Sequence, residues 1–157
     1  KGTPTSQTIT GAGEFLPGTT QVYQIDLTAN KTDSIYTDGN YSIQYSSWAL
    51  LDKNSQIIQN GTFDEVNGAY SKSVSIAIPQ KIEDYVLIGT IVQYDMSYDF
   101  TTNTWKVLNE DNPKIMAQEG YNLRTKLSIP IKPTPKLSVF AQLFQNILNW
   151  FKNLFGG

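Results

Sequence analysis

The side chains with the most evident chemical capacity are acidic. Asp33, Asp38 and Asn40 fall in one polar stretch, Asp95 and Asp99 in a second, and Glu110, Asp111 and Asn112 in a third. Loop carboxylates that converge can cage a hard cation with oxygen ligands. None of these stretches has the spacing of a calcium-binding loop, so they read as solvated acids, with calcium the one metal left open. Softer metals are excluded by residue type, because the 157 residues contain no histidine and no cysteine. The same absence removes a thiolate nucleophile and the usual serine–histidine–aspartate arrangement. Fourteen acidic residues could include a glycosidase pair, but nothing singles one out. Gly11-Ala12-Gly13 precedes no strand-to-helix unit and makes no phosphate loop. No enzyme and no organic cofactor is expected.

Aromatic rings are the second resource. Tyr98, Phe100 and Trp105, with Tyr94 nearby, surround a hairpin expected at 99–104. Exposed rings there could stack on sugars; the alternative is ordinary cross-strand pairing. The third resource is the triplets Asn30-Lys31-Thr32, Asn40-Tyr41-Ser42 and Asn60-Gly61-Thr62, glycosylation acceptors if the chain is secreted. The formal charge of −2, with Arg124 the single arginine, is a poor footprint for nucleic acid. Low charge and abundant Thr, Ser, Asn, Gln and Tyr favour an extracellular location.

The elements that must position these residues are strands. Tyr23, Ile25 and Leu27 alternate with polar neighbours, as do Val74, Ile76 and Ile78. Period-two alternation marks a strand with one buried face. Residues 85–92, Tyr-Val-Leu-Ile-Gly-Thr-Ile-Val, are apolar on both sides, as in a central strand covered on two faces. Ile43 and Tyr45 leading into Trp48, then Trp105 with Val107, and last Tyr121, Leu123, Thr125 and Leu127 suggest further strands. Turn residues separate these runs, which predicts a mainly β, antiparallel sandwich over 14–128. Residues 1–13 read as an extended polar arm, with Ile9 its apolar contact, and 129–136 as a proline-rich spacer.

Ile78-Pro79-Gln80-Lys81-Ile82-Glu83-Asp84-Tyr85-Val86-Leu87 resembles the approach to strand F of immunoglobulin-like domains. The resemblance implies that Tyr85 bonds back to the chain, that Leu87 stands where antibody domains have a cysteine, and that Trp48 is the tryptophan of strand C. It covers 20–128 and is a resemblance to the disulfide-free members of that architecture.

Past the prolines the rhythm changes. Ser138, Gln142, Gln145, Asn149 and Lys152 form one polar stripe of a helix over 137–157. The rest is apolar: Phe140, Leu143, Phe144, Ile147, Leu148, Trp150, Phe151, Leu154 and Phe155. The amide stripe argues against a membrane-spanning segment, and the scarcity of lysine and arginine against an interfacial helix. Two destinations remain for the apolar face: the chain's own sandwich, or adjacent copies of the chain. The second is the expectation here, with the 1–10 arm adding to a neighbour's sheet edge. The sequons, the cysteine-free sandwich and Asn149-Trp150-Phe151-Lys152-Asn153-Leu154-Phe155 together are similar to secreted surface proteins of methanogenic archaea, including fimbrial or pilus-like subunits. That resemblance implies a homopolymeric extracellular filament; the alternative is a carbohydrate-binding or adhesive cell-surface module.

Overall fold

The chain, in a computed structural model, is described over residues 6–32, 40–125 and 137–155. Its strands are β1 (Gln7–Thr10), β2 (Glu14–Phe15), β3 (Thr20–Thr28), β4 (Asn40–Leu51), β5 (Ile57–Asn60), β6 (Asp64–Val66), β7 (Ala69–Ala77), β8 (Tyr85–Asp99), β9 (Thr104–Val107) and β10 (Lys114–Thr125). They are followed by one helix, α1 (Leu137–Phe155). The strands form two sheets, in the orders β1-β3-β7 and β2-β10-β8-β4-β5, with β6 beside β4 and β9 beside β8. The architecture is mainly β and fits a sandwich, with the C-terminal helix in place. The spacer at 129–136 lies outside the described residues.

Period two carries through from sequence to packing. Tyr23, Ile25, Leu27, Val74, Ile76 and Ile78 are all buried and meet Leu50, Leu87, Ile91 and Leu123 of the opposite sheet. β8 is buried on both faces, as its unbroken apolar run requires. Its odd positions 85, 87 and 91 face the other sheet, while Val92, Tyr94 and Met96 face the opposite way. At Gly89 an added Cβ would lie 2.8 Å from a methyl of Ile25, so glycine permits the close approach of the two sheets there.

The first strand corrects an expectation. β1 is no free arm: it pairs antiparallel with β3, from Gln7↔Leu27 to Thr10↔Gln24, and Ile9 is buried in the chain's own core. The chain then hops sheets, since β2 runs parallel to β10 at Glu14↔Arg124 and Phe15↔Thr125. Gly11-Ala12-Gly13 is the crossing. Gly11 has φ +151° and abuts the ring of Tyr23, so a side chain there would be both strained and obstructed. Hydroxyls pin the crossing from both sheets: Tyr23 donates to the Ala12 carbonyl at 2.7 Å and Tyr121 to the Gly11 carbonyl at 2.7 Å.

The helix corrects another. Leu143, Ile147, Leu148 and Phe151 are buried, and the last three pack on Ile43, Tyr45, Val92, Tyr94 and Met96 of the chain's own β4 and β8. Phe144 is half-buried against the same cluster. The physical reason lies in the sheet. β4 and β8 present apolar residues on their outer face as well, and that face needs a cover that the other sheet cannot give. Tyr94 fixes the docking by donating to the Phe144 carbonyl at 3.0 Å. Trp150 stays 38% exposed at the margin, edge-on to Tyr45 and Phe63. The side chains of Phe140, Leu154 and Phe155 lie outside the described residues. No helix among the described residues is long and apolar enough to cross a membrane.

Candidate functional site

The far end of the outer face carries the candidate site. Beyond Ile91 the odd positions of β8 are polar, while Val92, Tyr94 and Met96 pack in the cluster under α1. β9 folds back on β8 through the expected hairpin, pairing Met96↔Val107, Tyr98↔Trp105 and Asp99↔Thr104. Asp99 closes the turn. Its carboxylate accepts from the backbone amides of Thr101 and Thr102, which holds it below the ordinary carboxylate range.

Tyr98 and Trp105 are opposed across the two strands, with ring centres 5.2 Å apart in an edge-on arrangement. Phe100 continues the row, 4.9 Å from Tyr98, and Tyr41 of β4 meets Trp105 at 5.9 Å. The cross-strand reading is therefore satisfied for Tyr98 and Trp105. Phe100, edge-on to Tyr98, remains 72% exposed at the hairpin tip.

Beside this row lies a groove of about 350 Å³, lined by Thr104, Trp105, Lys106, Val107, Glu110, Phe151 and Lys152. The helix thus supplies one wall and β9 the other. A second hollow of about 320 Å³ lies between the β9–β10 connection (Glu110, Asp111, Asn112, Pro113) and Ala141, Phe144 and Gln145 of α1. Glu110 borders both and accepts an ion pair from Lys152 at 2.6 Å. Both partners are about half-exposed, so the pair contributes at most about 1 kcal/mol to stability. Nothing in the sequence announced this pairing, because Glu110 and Lys152 are 42 positions apart and meet only once the helix docks.

The acidic stretches do not assemble. Asp95 is engaged by Ser42 at 2.7 Å, by Gln93 at 3.1 Å and by Lys114 at 3.0 Å. Burial works against its charge, yet these donors outweigh it and hold the carboxyl below its usual range. Asp33 and Asp38 lie outside the described residues, as does the side chain of Asn40. Among the described residues no three acidic side chains gather around a common point. Of the sequons, Asn30 and Asn60 are exposed, the latter at the end of β5.

No family model and no curated protein matches the chain. Among solved structures, one described as the crystal structure of the C-terminal domain of wzt is similar over 82% of this chain and 75% of its own, at TM-score 0.41 and 9% identity.

Proposed function

We propose that this chain is an extracellular, non-enzymatic module of immunoglobulin-like architecture that binds carbohydrate through the β8–β9 hairpin. The observation that carries the proposal is the row Phe100–Tyr98–Trp105, which leads from a largely exposed ring to a groove lined by one carboxylate and two ammonium groups. A pyranose presents an apolar C–H face and a rim of hydroxyls, and rings bordered by a few polar groups are its chemical complement.

The immunoglobulin-like reading is supported by the strand order, by the first strand divided between both sheets, and by Tyr85. The Tyr85 hydroxyl donates to the Lys81 carbonyl at 2.9 Å, the bond expected of a tyrosine at the corner before strand F. Leu87 is buried in the inter-sheet core, and the half-buried Trp48 packs against it. A filament joined by its terminal segments draws less support, since Ile9 and most of the described apolar face of α1 pack inside the chain.

A glycan array probed with the full chain tests the proposal. Saccharides should be retained by the parent and lost on Trp105→Ala, with Phe100→Ala weakened. An array with no retained saccharide overturns it.

A further inference from the structure

We infer that the ligand is a neutral, extended oligosaccharide lying along the seam between α1 and the β9–β10 connection, across the Glu110–Lys152 ion pair. This rests on the carbohydrate-binding reading and adds the length, charge and path of the ligand.

The two hollows flank Glu110 along one helix. Ala141, Phe144 and Gln145 of α1 line the first, and Phe151 and Lys152 the second. At a rise of about 1.5 Å per residue these two sets lie about 12 Å apart along the helix, a span longer than one sugar ring. Each volume sits at the low end of small-molecule sites, roughly 300–1,000 Å³, and together they make a track rather than a pit.

The two halves offer different chemistry. One has the ring of Trp105 for a sugar face and the apolar flank of Phe151. The other has the amides of Asn112 and Gln145 and the carboxylates of Glu110 and Asp111 for hydroxyls. Hydroxyls bonded to charged groups make the stronger hydrogen bonds. The bridge between the halves is exposed, so its partners can turn toward a ligand at little cost.

Charge sets the class. Glu110 and Asp111 are matched by Lys106 and Lys152 along the track, so its formal charges cancel. A uronate or sialylated chain would gain no net attraction there to offset the desolvation of its carboxylates, whereas a hydroxyl-rich neutral chain has no such charge to desolvate.

The test is isothermal calorimetry on the full chain with glucose, galactose and N-acetylglucosamine, their linear tri- and hexasaccharides, and an oligogalacturonate of matched length. For the sugar that binds, affinity should rise about tenfold or more from monosaccharide to hexasaccharide. The double variant Asn112→Ala/Gln145→Ala should remove that gain and leave the short-chain affinity intact, and Trp105→Ala should abolish binding at every length. Trp105→Phe, which keeps a ring, should retain part of it. Equal affinity for short and long chains, no effect of the double variant, or preference for the oligogalacturonate each overturns this inference and leaves carbohydrate binding standing. Binding by none of these probes, together with an empty array, overturns both.

Discussion

At the scale of single residues, tyrosine hydroxyls bolt this fold together. Tyr23 pins the crossing between sheets, Tyr85 pins the corner before β8, and Tyr94 pins the helix. Tyr85→Phe keeps the buried ring and deletes one hydrogen bond, so urea unfolding should show a loss of about 1 kcal/mol. Burial, with the neighbouring Tyr121 phenol, pushes Tyr23 up to about 12; burial, then Glu83 and Asp52, does the same for Tyr85. The folded state therefore prefers the neutral phenol. Stability on this account is complete below pH 10, the ordinary tyrosine value, and falls as pH rises toward 12. Ultraviolet titration should show these phenols ionising together with unfolding, above the ordinary tyrosine range; their ionisation near the ordinary value would contradict the burial. Gly89 is the opposite case, where absence of a side chain matters. Gly89→Ala should cost about 1–3 kcal/mol by overpacking against Ile25 and Leu27, measurable in the same unfolding experiment.

At the scale of elements, the strands were legible wherever one face is buried. Alternation at 23–27 and 74–78, and the two-sided run at 85–92, translate directly into burial. The helix at 137–155 was legible in the same way, from its polar stripe. Its destination was not. An amphipathic pattern states that a face will be covered and is silent on what covers it, so own-sheet and neighbouring-copy packing have the same signature. The deciding information sits far away in sequence, in the outer-face positions Ile43, Tyr45, Val92, Tyr94 and Met96. The first strand escaped for a related reason: one apolar residue, Ile9, is a weak signal, and its pairing with β3 comes from register. The hairpin and its three rings were readable locally; the groove beside them was not, because the helix builds one wall. Ile147 measures the helix contribution. Ile147→Ala should destabilise the protein by about 2–4 kcal/mol, whereas Gln142→Ala, on the exposed stripe, should stay within about 0.5 kcal/mol.

At the scale of the whole molecule, the two readings of the C-terminal helix predict opposite responses to its removal. If α1 joined copies together, truncating the chain before residue 137 would dissolve an assembly and leave a smaller, well-behaved particle. With α1 docked on β4 and β8, the same truncation strips the cover from Ile43, Tyr45, Val92, Tyr94 and Met96. A contiguous apolar patch of that kind, opened on one face of a sheet, drives association. The full chain should therefore sediment as a monomer across a wide concentration range, and the truncated chain should form high-mass species or lose its cooperative unfolding. Ile147→Asp in the full chain offers a gentler version, leaving length and tether intact while burying an unpaired charge beneath the helix. It should release the helix and produce the same association. A full chain that polymerises unaided and falls to monomers on either change would return the helix to an intermolecular role, and with it the filament.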